Sequence, residues 1–148
     1  MKAPKILLLF CSAVIYSQSA GWKSFYSFDE ITRVHAGRDG QVYGVAKNSM
    51  FSYDPSANEV VPITTVDGLL GDEIGALAVI DDFMVVAYEN GMLGMHNLID
   101  GSVTIDSSIQ RNVLIDPSDK TIHSFLVQNQ TLFLSADRKR VWFWTKKE

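Results

Sequence analysis

The chain has 148 residues, enough for one ordinary domain, with 13 Lys or Arg against 17 Asp or Glu and a net charge of −4. The charge is uneven: from Ala20 to Asp137 six basic residues face sixteen acidic ones, and from Arg138 to the end five face one. An acidic body argues against nucleic acid as the main partner, because phosphate binding needs clustered Lys and Arg.

The first twenty residues read as a secretory signal peptide, covering 1–19. Lys2 and Lys5 supply a positive start, residues 6–16 form an apolar run broken only by Ser12, and Ser17, Gln18, Ser19 and Ala20 offer small residues for cleavage. The run is shorter than the ~20 apolar residues of a spanning helix, so a retained anchor is the weaker reading. Cys11 lies inside the apolar run behind Leu9 and Phe10, which disfavours lipidation. Cleavage would leave a mature chain without cysteine, hence without disulfides, thiol chemistry or a cysteine metal site.

Next comes 22–28, which reads as a lone strand. The rest repeats. Segment 31–35, the turn at Arg38, Asp39, Gly40 and Gln41, the run 42–46, the turn at Asn48 and Ser49, and the run 50–54 have counterparts at 74–80, 81–82, 83–88, 90–91 and 92–95. The offset is about 42 residues, the period of a four-stranded blade. Runs 59–64 and 102–106 supply outer strands. Pro62 in the first fits an edge, since proline cannot donate to a ladder. A third copy starts at Ile122, turns at Gln128, Asn129 and Gln130, and continues over 131–137. Asn90 and Gly91 read as the strongest turn, of the type I′ kind with both central residues at positive φ. Runs 77–80 and 83–87 alternate poorly, as strands buried on both faces would. Helix is nearly absent, because no segment after residue 20 shows a period of 3.6.

These elements predict an all-β fold: a partial β-propeller of about two and three-quarter four-stranded antiparallel blades, over 31–66, 74–106 and 122–145 within a domain of 20–148. A β-sandwich, also made of short strands and regular turns, is the alternative. Propellers close with about four to eight blades, so an open arc leaves apolar faces in water. The expectation is therefore a piece of a longer ring, poorly soluble or oligomeric in isolation. After Asp137 the composition changes abruptly, to Arg138, Lys139 and Arg140 and then to Trp142 and Trp144. This suggests a truncated or frame-shifted reading frame.

Thr65, Val66, Asp67, Gly68, Leu69, Leu70, Gly71, Asp72, Glu73 and Ile74 together resemble the two-component-regulator propeller repeat, whose pattern is Asp-Gly-Leu, polar residues and an Ile opening the inner strand. The stretch from Ile31 to Tyr53, Asp54 and Pro55 follows it too. The opening at Trp22, Lys23, Ser24, Phe25, Tyr26, Ser27, Phe28, Asp29, Glu30 and Ile31 resembles PorZ-type propeller components of the type IX secretion system. The resemblance covers roughly 22–137. It implies a non-enzymatic exported scaffold at the periplasm or outer-membrane surface, working beside the sortase and near lipopolysaccharide, and usually ending in a sorting domain that this sequence lacks. A periplasmic ligand-sensing propeller of a hybrid histidine kinase shares the repeats, but usually with Trp where this chain has Val42, Tyr43, Phe83 and Met84. A hydrolase built on a propeller would need convergent acids or bases.

No such set is legible. Asp67, Gly68, Leu69, Gly71, Ile74, Asn90 and Gly91 are expected to be structural marks of the repeat, Gly68 supplying positive φ between blades. His35, His96 and His123 fall in different units without metal-ligand spacing. Asp72 with Glu73, and Asp81 with Asp82, are adjacent pairs at turns, better suited to forming turns than to acid–base work. Trp142 and Trp144 beside the basic run could suggest a sugar or nucleic-acid platform, in a segment unlike the rest. No catalytic residue, metal site or cofactor is expected, and no phosphate loop or nucleophile elbow is present.

Overall fold

The computed structural model describes residues 30–129, 131–137 and 140–145, the last group by backbone alone. The proposed signal peptide, Cys11, the lone strand 22–28, Arg138 and Lys139 lie outside the described residues, as do the side chains of Trp142 and Trp144.

Among the described residues, eleven strands form three antiparallel sheets. Sheet one runs β1 (Arg33–Ala36), β2 (Val42–Ala46), β3 (Ser49–Asp54) and β4 (Glu59–Ile63), each strand beside the next. Sheet two repeats the order with β5 (Ile74–Ile80), β6 (Phe83–Tyr88), β7 (Leu93–Asn97) and β8 (Val103–Asp106). Sheet three holds β9 (Ser124–Gln128), β10 (Thr131–Asp137) and β11 (Arg140–Thr145). The 42-residue self-similarity thus marks repeated meanders, and the segment beyond Asp137 takes the place of a third strand despite its altered composition. One short helix, α1 (Ser108–Arg111), is the only α-helix among the described residues.

Two cores lie between the sheets. Tyr43, Val45 and Met50 of sheet one meet Ile74, Leu77, Met84, Val86 and Tyr88 of sheet two. The other face of sheet two, through Ala76, Ala78, Val85 and Ala87, meets Leu132, Leu134 and Ala136 of sheet three. A sheet packed on both faces has no polar side to alternate with, which explains the unbroken apolar runs of β5 and β6. The register of β5 shifts between Ile74 and Ala76, so Ile74 and Leu77 share a face although three residues apart. Gly75 fills that bulge, where an added Cβ would stand 2.5 Å from the Ile122 carbonyl oxygen. Pro62 sits on the outermost strand, opposite Phe51.

The hairpins correct one expectation. Asn90 does not have positive φ; Gly91 does, at 82°. Gly91 N–H donates to the Tyr88 carbonyl (3.0 Å) and Tyr88 N–H to that of Met92 (2.9 Å), a three-residue loop ending in a glycine bulge. The type I′ pattern falls instead at Asp39 (φ 53°) and Gly40 (φ 82°), closed by Gln41 N–H on the Arg38 carbonyl at 2.9 Å. Asp81 (φ 48°) and Asn129 (φ 49°) take the left-handed position at the matching hairpins of sheets two and three. Asp and Asn tolerate that region better than other side-chain-bearing residues.

Candidate functional site

Because each strand reverses its predecessor, all connections from one sheet to the next leave from the same end of the arc. Hydrogen bonds hold them there. Ile74 N–H donates to the Lys47 carbonyl at 2.8 Å, and Glu89 N–H to that of Glu73 at 2.9 Å. Asn90 Nδ2 donates to Asp72 Oδ2 at 2.8 Å, and Thr121 Oγ1 to the Glu89 carbonyl at 3.0 Å. Turn 47–48, connection 64–73, turn 89–91 and connection 107–123 therefore form one continuous surface.

The first connection is built by its own sequence. Thr64 and Asp67 form a capping box around a short 3₁₀ turn (Thr65–Asp67), with Asp67 Oδ2 accepting from Thr64 N–H at 2.8 Å. Gly68 ends the turn at φ 97°, where an added Cβ would stand 2.6 Å from Val103 Cγ2. Leu69 is buried in the core between sheets one and two, and Leu70 N–H donates to the Tyr88 hydroxyl at 3.1 Å. Burial raises the Tyr88 pKa, so the phenol stays neutral. Asp67, Gly68, Leu69, Gly71 and Ile74 all sit in or at the end of this connection. Asn90 joins it through Asp72, while Gly91 lies against the second connection, 3.1 Å in added-Cβ terms from the Lys120 carbonyl oxygen.

Among the described residues, the titratable groups singled out from the sequence do not converge. His35 lies on β1 opposite Tyr43, held below the ordinary histidine pKa by burial and then by Arg33. His96, on β7, is 5% exposed and its Nε2 has no hydrogen-bond partner. Burial lowers its pKa, against an opposing pull from Asp67. His123 is exposed, before β9. Asp72 and Glu73 belong to the connection, and Asp81 and Asp82 to a hairpin tip at the other end. There the Arg38 guanidinium bonds the Asp82 carboxylate and, at 3.3 Å, the Asp81 carbonyl. A cleft of about 320 Å³ beside that pair is lined by Gln41, Tyr43, Leu98 and Ile99 among others. Among the described residues no group of three or more His, Cys, Asp or Glu is arranged to hold a metal, and no helix is long and apolar enough to cross a membrane.

Two features escaped the sequence reading. Asp54, Asp100 and Asp116 each accept from the backbone N–H two residues on, at Ser56, Ser102 and Ser118. The paired serines hold these carboxyls below their ordinary pKa. The spacing Asp-x-Ser was the available signal. The other is a set of exposed aliphatic side chains on the connections: Val66, Val113 and Leu114.

Consecutive four-stranded meanders, packed face to face with their connections at one end, define an arc of a β-propeller. More narrowly, the chain belongs to the type IX secretion system PorZ N-terminal β-propeller domain family, whose model matches residues 42–137. Solved structures share the fold at low identity. The computationally designed Ika8 protein is 14% identical, with a TM-score of 0.60 over 78% of this chain and 33% of that one. The extracellular domain of the putative one component system BT4673 from B. thetaiotaomicron is 14% identical, with a TM-score of 0.53 over 72% of this chain and 13% of that one. The N-terminal domain of Nup159 is 18% identical, with a TM-score of 0.54 over 80% and 29%. The chain thus spans a third or less of each of these three structures. No curated protein sequence matches it.

Proposed function

We propose that the chain is an exported, non-enzymatic scaffold of the type IX secretion machinery, acting by holding other proteins of that machinery. The family match over residues 42–137, which spans most of all three sheets, carries this reading. The signal-peptide pattern at 1–19 supports export to the periplasm or outer-membrane surface. The sortase and lipopolysaccharide are the partners the family suggests.

On this reading the three sheets are one arc of a larger ring. The outward face of sheet one exposes Val34 and Val60, and sheet three exposes Leu126, surfaces that a neighbouring blade would cover. The test is deletion of the gene in a host with a type IX system, followed by assay of cargo secretion and surface attachment, with complementation. Normal secretion in the deletion strain refutes the scaffold role. Retention of the protein in the cytoplasm refutes export.

A further inference from the structure

Among the described residues, His96 Nε2 is the buried side-chain polar atom left without a hydrogen-bond partner, on a residue 5% exposed. Such groups are rare, because burial removes their hydrogen bonds to water and gives nothing back. His96 pairs with Met84 on β6 and with Val103 on β8, so the three share the face that meets sheet one. The first connection lies on that face. Gly68 packs on Val103, Leu69 is buried in the same core, and the Leu70 N–H donates to the Tyr88 hydroxyl at 3.1 Å. A Cβ added at Gly94 would stand 3.3 Å from His96 Nε2 and 3.5 Å from Tyr88 Oη. The unmatched nitrogen and the hydroxyl that holds the connection thus gather over one glycine, and residues 67–70 roof them.

The roof is lightly fastened. Asp67 Oδ2 accepts from the Thr64 N–H at 2.8 Å and from Thr64 Oγ1 at 3.1 Å, and the Asp67 and Leu69 N–H groups donate to the Thr64 carbonyl at 3.0 and 3.1 Å. Those bonds close the turn on itself, and the Leu70 N–H ties it to β6. Sheet two beneath is held by antiparallel ladders on both sides of β6. A neutral imidazole tolerates the site, whereas an unpaired buried imidazolium costs far more. Asp67 favours the protonated ring against the effect of burial, but its carboxylate is already committed to Thr64. The other titratable or charged groups facing this core are Tyr88 from β6, with Asp72 acting on it, and Arg33, His35, Tyr43, Asp54 and Glu59 from the inner side of sheet one. Arg33 Nη1 is engaged by the Ile74 carbonyl at 3.1 Å, and Asp54 by Ser56. On this face β5 and β8 contribute apolar side chains.

We infer that protonation of His96 lifts the stretch 64–70 off sheet two, making it an acid-sensitive latch that opens while the sheets stay folded. Water entering beneath the roof solvates the imidazolium, or Asp67 turns to it and leaves the Thr64 capping box; both routes uncover Leu69. The proton comes from solvent and returns there as pH rises, so the latch closes again. It operates whether or not the chain serves the secretion machinery.

Amide hydrogen exchange of the full chain, followed by nuclear magnetic resonance and corrected for the intrinsic exchange rate, tests this between about pH 7.5 and 5. The amides of Asp67, Leu69 and Leu70 should lose protection by up to about tenfold per pH unit, the slope of an opening linked to one proton, while those of β6 hold. His96→Leu should remove this pH dependence. His96→Gln should do the same, and it supplies the result should the leucine variant fail to fold by circular dichroism. His35→Gln, which removes the other partly buried histidine, should leave the response in place. Protection at 67–70 that ignores pH in the wild type, or an equal response in either His96 variant, overturns the inference. So does a loss in β6 as large as in the connection, which would report unfolding of the whole arc.

Discussion

Gly68 is where the repeat signature can be tested most sharply, because two separable costs meet there. Its φ of 97° is a conformation that an L side chain resists, at about 1–2 kcal/mol. An alanine Cβ would also stand 2.6 Å from Val103 Cγ2 and 3.3 Å from Val103 Cβ. Val103 is a stiff β-branched residue in a paired strand opposite His96, so it yields only by straining β8. Such overpacking adds about 1–3 kcal/mol, and Gly68→Ala should destabilise by roughly 2–5 kcal/mol in all. Gly40→Ala is the internal control. It has positive φ at 82° but nothing within 4 Å of the added Cβ, so only the backbone cost of about 1–2 kcal/mol applies. Urea unfolding of the full chain, followed by far-ultraviolet circular dichroism, measures both. In a cycle with Val103→Ala, the double variant should recover at least about 1 kcal/mol relative to additivity. Equal losses for the two glycines, or strict additivity with Val103→Ala, would show that Gly68 serves only backbone conformation and that the close packing of connection on sheet two is not what it supplies.

Other expectations follow from the same geometry. Tyr88→Phe leaves the Leu70 N–H without its acceptor and should cost about 1 kcal/mol, with faster amide exchange at Leu70 as the specific readout. Leu77→Ala, at 1% exposure between sheets one and two, should cost about 2–5 kcal/mol by chemical denaturation, far more than the same change at exposed Leu114. Arg38→Ala removes a largely exposed ion pair with Asp82 and should change stability by no more than about 1 kcal/mol, less at high salt. His96 gives a pH signature. Its folded-state pKa lies below the ordinary 6.5, so the unfolded chain takes up the proton first as pH falls. The stability from neutral burial is complete above about 6.5 and is lost as pH drops through the folded value. The wild type should therefore lose stability relative to His96→Leu below that point, and parallel profiles from pH 8 to 5 would refute the burial argument.

The strands were legible because each carries its own local signal. Beta-branched and aromatic runs bounded by Asp, Asn and Gly set β2, β3, β5 and β6 close to where they were expected, and Pro62 marked the edge. Turn geometry was less legible. The pair Asn90-Gly91 is a frequent type I′ sequence, but the flanking pairing admits three loop residues, and φ at Asn90 follows from that count and not from the dipeptide. The pair Asp39-Gly40 looked equally ordinary and takes the I′ pattern because Arg38 and Gln41 face each other across it.

What the sequence hid most effectively is the connection end, and the reason is physical. Periodicity reports which side chains face a core, so an apolar residue outside any period passes for loop composition. Val66 lies in the repeat signature and Val113 and Leu114 in a stretch between 106 and 122 that carries no strand signal, and only the burial of their neighbours Leu69 and Ile115 separates a held-out tip from a residue folded under. The same reasoning bears on the bulge at Gly75. Without the register shift, Ile74 would face sheet three together with Ala76, and Leu77 alone would keep the opposite side of that end of β5. The shift instead lets Ile74 enter the core with sheet one, while the missing Cβ of Gly75 leaves room for Ile122 O on the other side. One glycine thus sends Ile74 into the core with sheet one and lets the backbone of Ile122, in the connection before β9, close on the other face, where a Cβ 2.5 Å from the Ile122 carbonyl oxygen would push that connection away.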